Sequence, residues 1–330
     1  MLRGVNVDAR NLLRRLVPWA ISAVALGYVF GFAIDWKSIP EVTARANLPL
    51  FLAVTVADKL LFFLVWGFIQ AIAIRRLVEP VAIRRVLAVK AGAELVRTVN
   101  NSLGDAAFFY GVSQLVRGRL AAVVAVAGVP FGCHFGVLLL QATASLVFLD
   151  GGAAAHREVV AAVAFGWTVA GAILVASRFG VWERLLERLG LGKWWSGFAA
   201  RDLVPFVGMF VVFAALDVLV QGLATRAFGV PIPWSALMAR IPILYLAISI
   251  PSLGNFGVRE IAWSNLFADY GTREELIAFA LWTNTIFLLM HVGIGVLFVA
   301  RAIELARGVR EARREGDAVP EPLLHEAADR

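Results

Sequence analysis

From Val204 to Ala224 the chain carries one charged side chain, Asp217, and from Leu276 to Ala300 it carries none. A helix needs about 20 apolar residues to cross about 30 Å of hydrocarbon. Backbone in that layer has to satisfy its own hydrogen bonds, so a helix is the element such runs can form. Leu16–Ile34, Leu48–Ile74, Leu120–Leu149 and Val159–Ser177 have the same character, which predicts six crossings. Leu120–Leu149 is long enough to tilt, or to break at Pro130. Leu16–Ile34 follows Arg3, Arg10, Arg14 and Arg15 but has no small-residue cleavage site before Asp35, so it reads as an uncleaved first span. Of 330 residues 60% are hydrophobic and mean hydropathy is +0.78. Soluble domains have roughly 45–50% apolar residues, so the expected class is an all-α, polytopic integral membrane bundle.

The charges orient the spans. Arg75, Arg76, Arg84, Arg85 and Lys90 crowd one connection, Arg178, Arg184, Arg188, Lys193 and Arg201 a second, and Arg301, Arg307, Arg310, Arg313 and Arg314 follow the last span. The loops at Asp35–Asn47 and Asp150–Glu158 carry few basic residues. By the positive-inside rule both termini lie in the cytoplasm. The basic pI, 10.2, therefore reflects anionic headgroups and orientation, not nucleic-acid binding. Residues 179–201 place Trp182, Leu185, Leu186 and Leu189 against Arg184, Glu187 and Arg188, with Trp194 and Trp195 following: an interfacial amphipathic helix. Residues 1–315 form one transmembrane domain, and Gly316–Arg330, with Pro320 and Pro322, read as a disordered tail. Cys133 is the single cysteine, so no intrachain disulfide can form.

Two apolar stretches break at nearly the same word. Ser102-Leu103-Gly104-Asp105 is echoed by Ser252-Leu253-Gly254-Asn255. Gln70 precedes Pro80 by ten residues, as Gln221 precedes Pro231. The echo marks a first repeat over about 48–149 and a second over about 204–300. Leu48–Ile74 runs inward and Val204–Ala224 outward on charge alone, so the units are inverted, as in many secondary transporters. Each contains an ambiguous segment, Ile83–Asn101 or Trp234–Pro251, which with its continuation (Ala106–Val116 or Ile261–Tyr270) forms a broken or re-entrant helix pair.

The polar residues at the breaks are the candidate substrate site. Lys90, Glu94, Arg97 and Asn101 fall on one helical stripe, with Lys90–Glu94 and Glu94–Arg97 spaced to pair. Gly104 permits a sharp turn, and Ser102 or Asp105 is placed to cap the next helix, whose free N–H groups would attract an anion. The plainer reading is an interfacial helix with its charges in water. In the second repeat Ser252, Asn255, Arg259 and Glu260 follow the apolar run Ile241–Ile250, and irregular backbone at that depth is tolerated only when buried or lining a wet cavity. Arg259 suits a phosphate. Glu260 would orient it or accept a proton, and a solvated surface pair is the alternative. Asp58, Lys59, Asp217 and Arg240 are charges within or beside spans and candidates for intramembrane ion pairs. Asp58 and Lys59 are adjacent, about 100° apart on a helix, so both are not expected to face one groove squarely; Asp217 is expected to pair with Arg240 or Arg259. His134 and His291 are lone histidines, read as packed imidazoles rather than metal ligands, and Gly293 and Gly295 as close-packing positions. No cofactor fingerprint, zinc spacing or nucleophile motif is present.

Pro251 through Glu260, followed by an apolar helix and Gly271, resembles the membrane region of the lysylphosphatidylglycerol synthase and flippase-like family, whose pattern is Pro-x-x-Gly-Gly-x-Gly-x-Arg-Glu. The chain keeps Pro251, Gly254, Gly257, Arg259 and Glu260 and has Asn255 at the second glycine. Gly104-Asp105 matches the end of the family's first-half loop, without its proline. The resemblance, over roughly Leu12–Arg307, implies a bacterial cytoplasmic-membrane protein that moves an anionic, aminoacylated or glycosylated lipid between leaflets. It further implies a membrane lipid as partner, with a cytoplasmic lipid-modifying synthetase as a second. A membrane-embedded enzyme or a non-transporting scaffold in lipid-linked biosynthesis are the alternatives.

Overall fold

A computed structural model describes residues 37–99, 101–116, 120–148, 157–188, 200–249 and 255–314, together with Gly27 and Gly31. The expected first span, Ser252 and its neighbours Pro251 to Gly254, the tryptophans 194 and 195, and the C-terminal tail lie outside the described residues. Among those described there is no strand. The helices in chain order are α1 (Ser38–Arg45), α2 (Leu48–Leu77), α3 (Ile83–Arg97), α4 (Asn101–Leu115), α5 (Leu120–Ser145), α6 (Arg157–Arg178), α7 (Val181–Arg188), α8 (Val204–Ala227), α9 (Trp234–Ile248), α10 (Val258–Leu266) and α11 (Arg273–Arg314). A 3₁₀ turn, Ala200–Leu203, leads into α8. Five helices, α2, α5, α6, α8 with its leading turn, and α11, are long and apolar enough to cross a membrane. They coincide with five of the six runs expected. α5 continues through Pro130 without a break, and α7 occupies the first half of the expected amphipathic segment.

Local chemistry sets several boundaries. Asn47 opens α2 by accepting the Leu50 amide at 3.2 Å, with Pro49 in the first turn, where its missing N–H costs nothing. Glu260 closes the start of α10 by accepting the Gly257 amide at 2.6 Å. Two residues before it, Asn255 has φ 64° and Gly257 itself φ 83°. Asparagine is among the few residues with a side chain that enter this left-handed region readily, which accounts for Asn255 standing where the resembled pattern has glycine.

The short helices form two hairpins. α3 and α4 have 15 residues each, about 22 Å at 1.5 Å per residue, and are antiparallel. A Cβ on Gly104 would lie 2.6 Å from Arg97 Cβ, and one on Gly111 would lie 2.5 Å from Val89 Cγ1. The two short elements thus fold back on each other. The break falls between Arg97 and Asn101, earlier than the Ser-Leu-Gly word. Ser102 and Asp105 therefore lie inside the first turns of α4, and Gly104, instead of making a turn, is helical and lets α4 approach α3. α9 and α10 make the second hairpin: Arg240 on α9 reaches Asp269 just beyond α10 at 2.8 Å.

Each hairpin has its own apolar core. Val86, Val89, Phe108 and Val112 fill the first, and Leu237, Ile241, Trp263 and Phe267 are central to the second. A third cluster, Trp66, Cys133, Phe206 and Phe210 among others, joins α2, α5 and α8 between them. The long helices that follow the hairpins exchange partners: α11 packs along α3, and α5 packs along α9. The α11–α3 contact is close. A Cβ on Gly295 would meet the Leu95 backbone nitrogen at 2.5 Å, and one on Gly92 would meet Ala302 Cβ at 2.5 Å. Gly293, in contrast to its reading as a packing position, faces open space. Gly295→Ala should therefore destabilise the protein by about 1–3 kcal/mol, the usual cost of overpacking, while Gly293→Ala leaves the thermal unfolding midpoint in detergent unchanged. Equal midpoints for the two variants would refute the contact.

Candidate functional site

The two hairpins meet at their breaks. Asn101, the first residue of α4, donates through Nδ2 to Asn255 Oδ1 at 2.9 Å, across 154 residues of sequence. Behind this contact lies a cavity of about 350 Å³. Its polar lining comes from both hairpins and four long helices: Lys90, Glu94, Arg97, Asn101, Ser102 and Asp105 from the first hairpin, Asn255 and Arg259 from the second, and Asp58, Lys59, Gln70, His134, Gln221 and His291 from the spans. Aromatic rings such as Trp66, Phe131, Trp263 and Phe287 supply the rest of the wall. Four cations, Lys59, Lys90, Arg97 and Arg259, face three carboxylates, Asp58, Glu94 and Asp105.

Glu94 is the centre of the first group. It is 2% exposed, and its Oε2 takes Lys59 Nζ at 3.4 Å and contacts His291 Nδ1. Arg97 Nε lies 3.3 Å from Glu94 Oε1, an ion pair without hydrogen-bond alignment, and Arg97 Nη2 donates to Asp105 Oδ1. Three helices, α2, α3 and α11, thus converge on one carboxylate. Isolated charges in such a place would cost several kcal/mol each, and mutual pairing offsets that cost. Lys90 does not join this network. It departs from the expected pairing with Glu94, donating instead to Gln70 Oε1 at 3.0 Å and lying over the Phe108 ring, 5.2 Å from its centroid.

The second group is arranged differently. Arg259 is 9% exposed and faces the cavity. Its guanidinium stands 4.9 Å from the Phe287 centroid, and its Nε is buried with no hydrogen-bond partner. Glu260, expected to orient it, is turned away. Its two oxygens take the Gly257 amide and Asn284 Nδ2, the latter at 3.4 Å, and it does not line the cavity. Asp217 pairs with neither Arg240 nor Arg259 at salt-bridge distance: Tyr245 Oη donates to its Oδ2 at 2.8 Å. Arg240 is absent from the cavity wall and pairs with Asp269 at 2.8 Å and Glu158 at 3.3 Å. Its burial on α9 gives it need of carboxylate partners. Asp58 and Lys59 both line the cavity, against the angular argument. Asp58 leans toward α8, where Gln221 Nε2 lies 3.5 Å away, and Lys59 leans toward α3, so the pair straddles the cavity wall.

The sequence reading took His134 and His291 as packed imidazoles and left out Tyr245 and Asn284; all four line the cavity. Their signal was a polar side chain in mid-span, the same signal that singled out Asp58 and Asp217. No group of three or more His, Cys, Asp or Glu suited to a metal ion occurs among the described residues. Comparison of the chain with models of protein families, with curated proteins and with solved structures finds no match.

Two outcomes test this arrangement. In a Cys133→Ser background, Asn101→Cys with Asn255→Cys should be linked rapidly by a short bifunctional thiol reagent. Failure to link, with each single variant labelling normally, would separate the hairpins. Glu94→Gln strands buried cations and should cost about 3–5 kcal/mol of stability in detergent; adding Lys59→Met should recover part of that loss. No recovery in the double variant would mean the two do not interact.

Proposed function

We propose that this protein is a membrane lipid transporter of the flippase kind, in which an anionic headgroup enters the cavity between the hairpins while the acyl chains stay in the bilayer. The observation that carries the reading is the pair of cations left without a carboxylate. Lys90 on one hairpin and Arg259 on the other both face the cavity, and neither has an acidic group within salt-bridge distance among the described residues. A buried guanidinium without a partner is costly, and a phosphate oxygen is the ligand that relieves that cost with charge-assisted bonds. The aromatic wall suits the glycerol and upper acyl region, and Asn101, Ser102 and Asn255 offer neutral hydrogen bonds to a sugar or aminoacyl substituent.

The order of elements supports alternating access. Each half reads long helix, two short helices, long helix: α2 to α5, then α8 to α11. The exchanged packing of α11 on α3 and α5 on α9 is what a pseudo-two-fold relation between the halves would produce. With each hairpin returning to its own side, α2, α5 and α6 are three crossings before α8, so the halves point in opposite directions, as the basic loops also imply. The likeness of Pro251–Glu260 to the flippase-like family points the same way.

The test is lipid movement by the purified protein in proteoliposomes, using head-labelled phosphatidylglycerol, its aminoacylated and glycosylated relatives, and inorganic phosphate as a soluble alternative. Wild type should accelerate movement of at least one lipid, and Arg259→Gln should slow it by about 10- to 100-fold, the loss of one or two charge-assisted bonds. No movement of any lipid, or an Arg259→Gln rate equal to wild type, overturns the reading. Phosphate uptake without lipid movement would reassign the cavity to a soluble anion.

A further inference from the structure

Two carboxylates beside the cavity are as short of partners as the two cations. Asp58 on α2 and Asp217 on α8 are buried, 7% and 3% exposed, and neither has a Lys, Arg or His nitrogen within 4.0 Å among the described residues. They interact electrostatically with each other and with Arg259; Asp58 and Arg259 line the cavity, and Asp217 does not. The groups that face them are Lys59 from α2, which is committed to Glu94, Gln221 from α8, Tyr245 from α9 and Arg259 from α10, with His134 from α5 packed on the Tyr245 ring. His134 is 5% exposed, lines the cavity and packs against the Tyr245 ring at 5.9 Å, and its Nδ1 has no hydrogen-bond partner. Asp217 Oδ1 is likewise buried and unpartnered, since Tyr245 serves Oδ2.

We propose that Asp58 and Asp217 form a proton site linked to the anion site at Arg259, so that the substrate anion and one proton bind together. Without ligand, Arg259 and Lys90 balance Asp58 and Asp217 at a distance, and the interior is close to neutral. An anion that takes Arg259 removes the counter-charge of the two carboxylates. A proton arriving from solvent on Asp217 Oδ1 restores the balance, and it leaves when the anion leaves. Binding of each then favours binding of the other by the same factor, as linkage requires. The chemistry of the surroundings selects a proton over a metal ion. Tyr245 and Gln221 direct hydrogens at the pair, whereas a hard cation needs a shell of acceptor oxygens. Two carboxylates that share a site and take one proton between them are a familiar consequence of like charge at short range.

This rests on the reading of Arg259 as the anion site, and the measurement separates the two. The full chain in detergent is titrated calorimetrically with short-chain phosphatidylglycerol in two buffers of different ionisation enthalpy, giving protons taken up per ligand bound. Wild type should take up about 0.5–1 proton per ligand near neutral pH, with affinity falling as pH rises and indifferent to sodium. Asp217→Asn should bring the proton count near zero, and Asp58→Asn, which keeps the shape of the site, should do the same. Binding to wild type with no proton uptake overturns the coupling alone. A count unchanged in both variants, or an affinity that follows sodium, also overturns it. Absence of any binding overturns the anion site and the coupling together.

Discussion

The carboxylate of Glu94 is where polar side chains from three helices meet. Lys59 comes from α2, Arg97 from its own helix and His291 from α11, and all three reach the same two oxygens. Through Arg97 the network extends to Asp105 and so fixes the angle between α3 and α4. A hairpin of two helices of 15 residues each cannot hold its place by length alone. Its apolar core and this polar tether do the holding together, and the tether also defines one wall of the cavity. The same charges that make the region expensive to bury are what give it a single arrangement.

The spans were legible because a run of apolar residues has few other solutions. α2, α5, α6, α8 and α11 all lie where hydropathy alone puts them. The hairpins were legible as breaks, through the paired Ser-Leu-Gly words, but the turn of the first hairpin was misplaced. Gly104 suggested a turn, yet its missing side chain serves helix contact instead. A glycine required for close approach and one required for a turn look alike in a sequence. Asn255 was legible as a departure from a glycine pattern, and its φ of 64° gives the reason it is tolerated.

Partner identities were harder to read. Lys90, Glu94 and Arg97 do share a helical stripe, but helix spacing predicts only local pairs, and Lys90 goes to Gln70 on another helix. Arg240 looked like a partner for Asp217 because both are buried charges in the second half. The antiparallel return of α10 carries Asp269 back to Arg240, and no local spacing encodes that. His291, fully 197 residues from Glu94, was visible as a polar residue in a span and invisible as a ligand of that carboxylate.

The two hairpins are not chemically equal, and the difference bears on how the cavity would open. The first is braced by ion pairs and lies against α11 with backbone-close contacts at Gly92 and Gly295. The second keeps its ionic contacts at the far end, at Arg240, and presents an almost apolar helix plus Arg259 to the cavity. Between the tips the structure places the neutral Asn101–Asn255 hydrogen bond, worth about 0.5–1.5 kcal/mol net. Each hairpin is thus tied more firmly to the long helix of the opposite half than to the other hairpin's tip. α11 touches both hairpins, packing along α3 and against α10, while α5 packs along α9. The tip contact is therefore neutral and single, whereas Glu94 and its cations form a connected ionic group within the first hairpin and the helices around it.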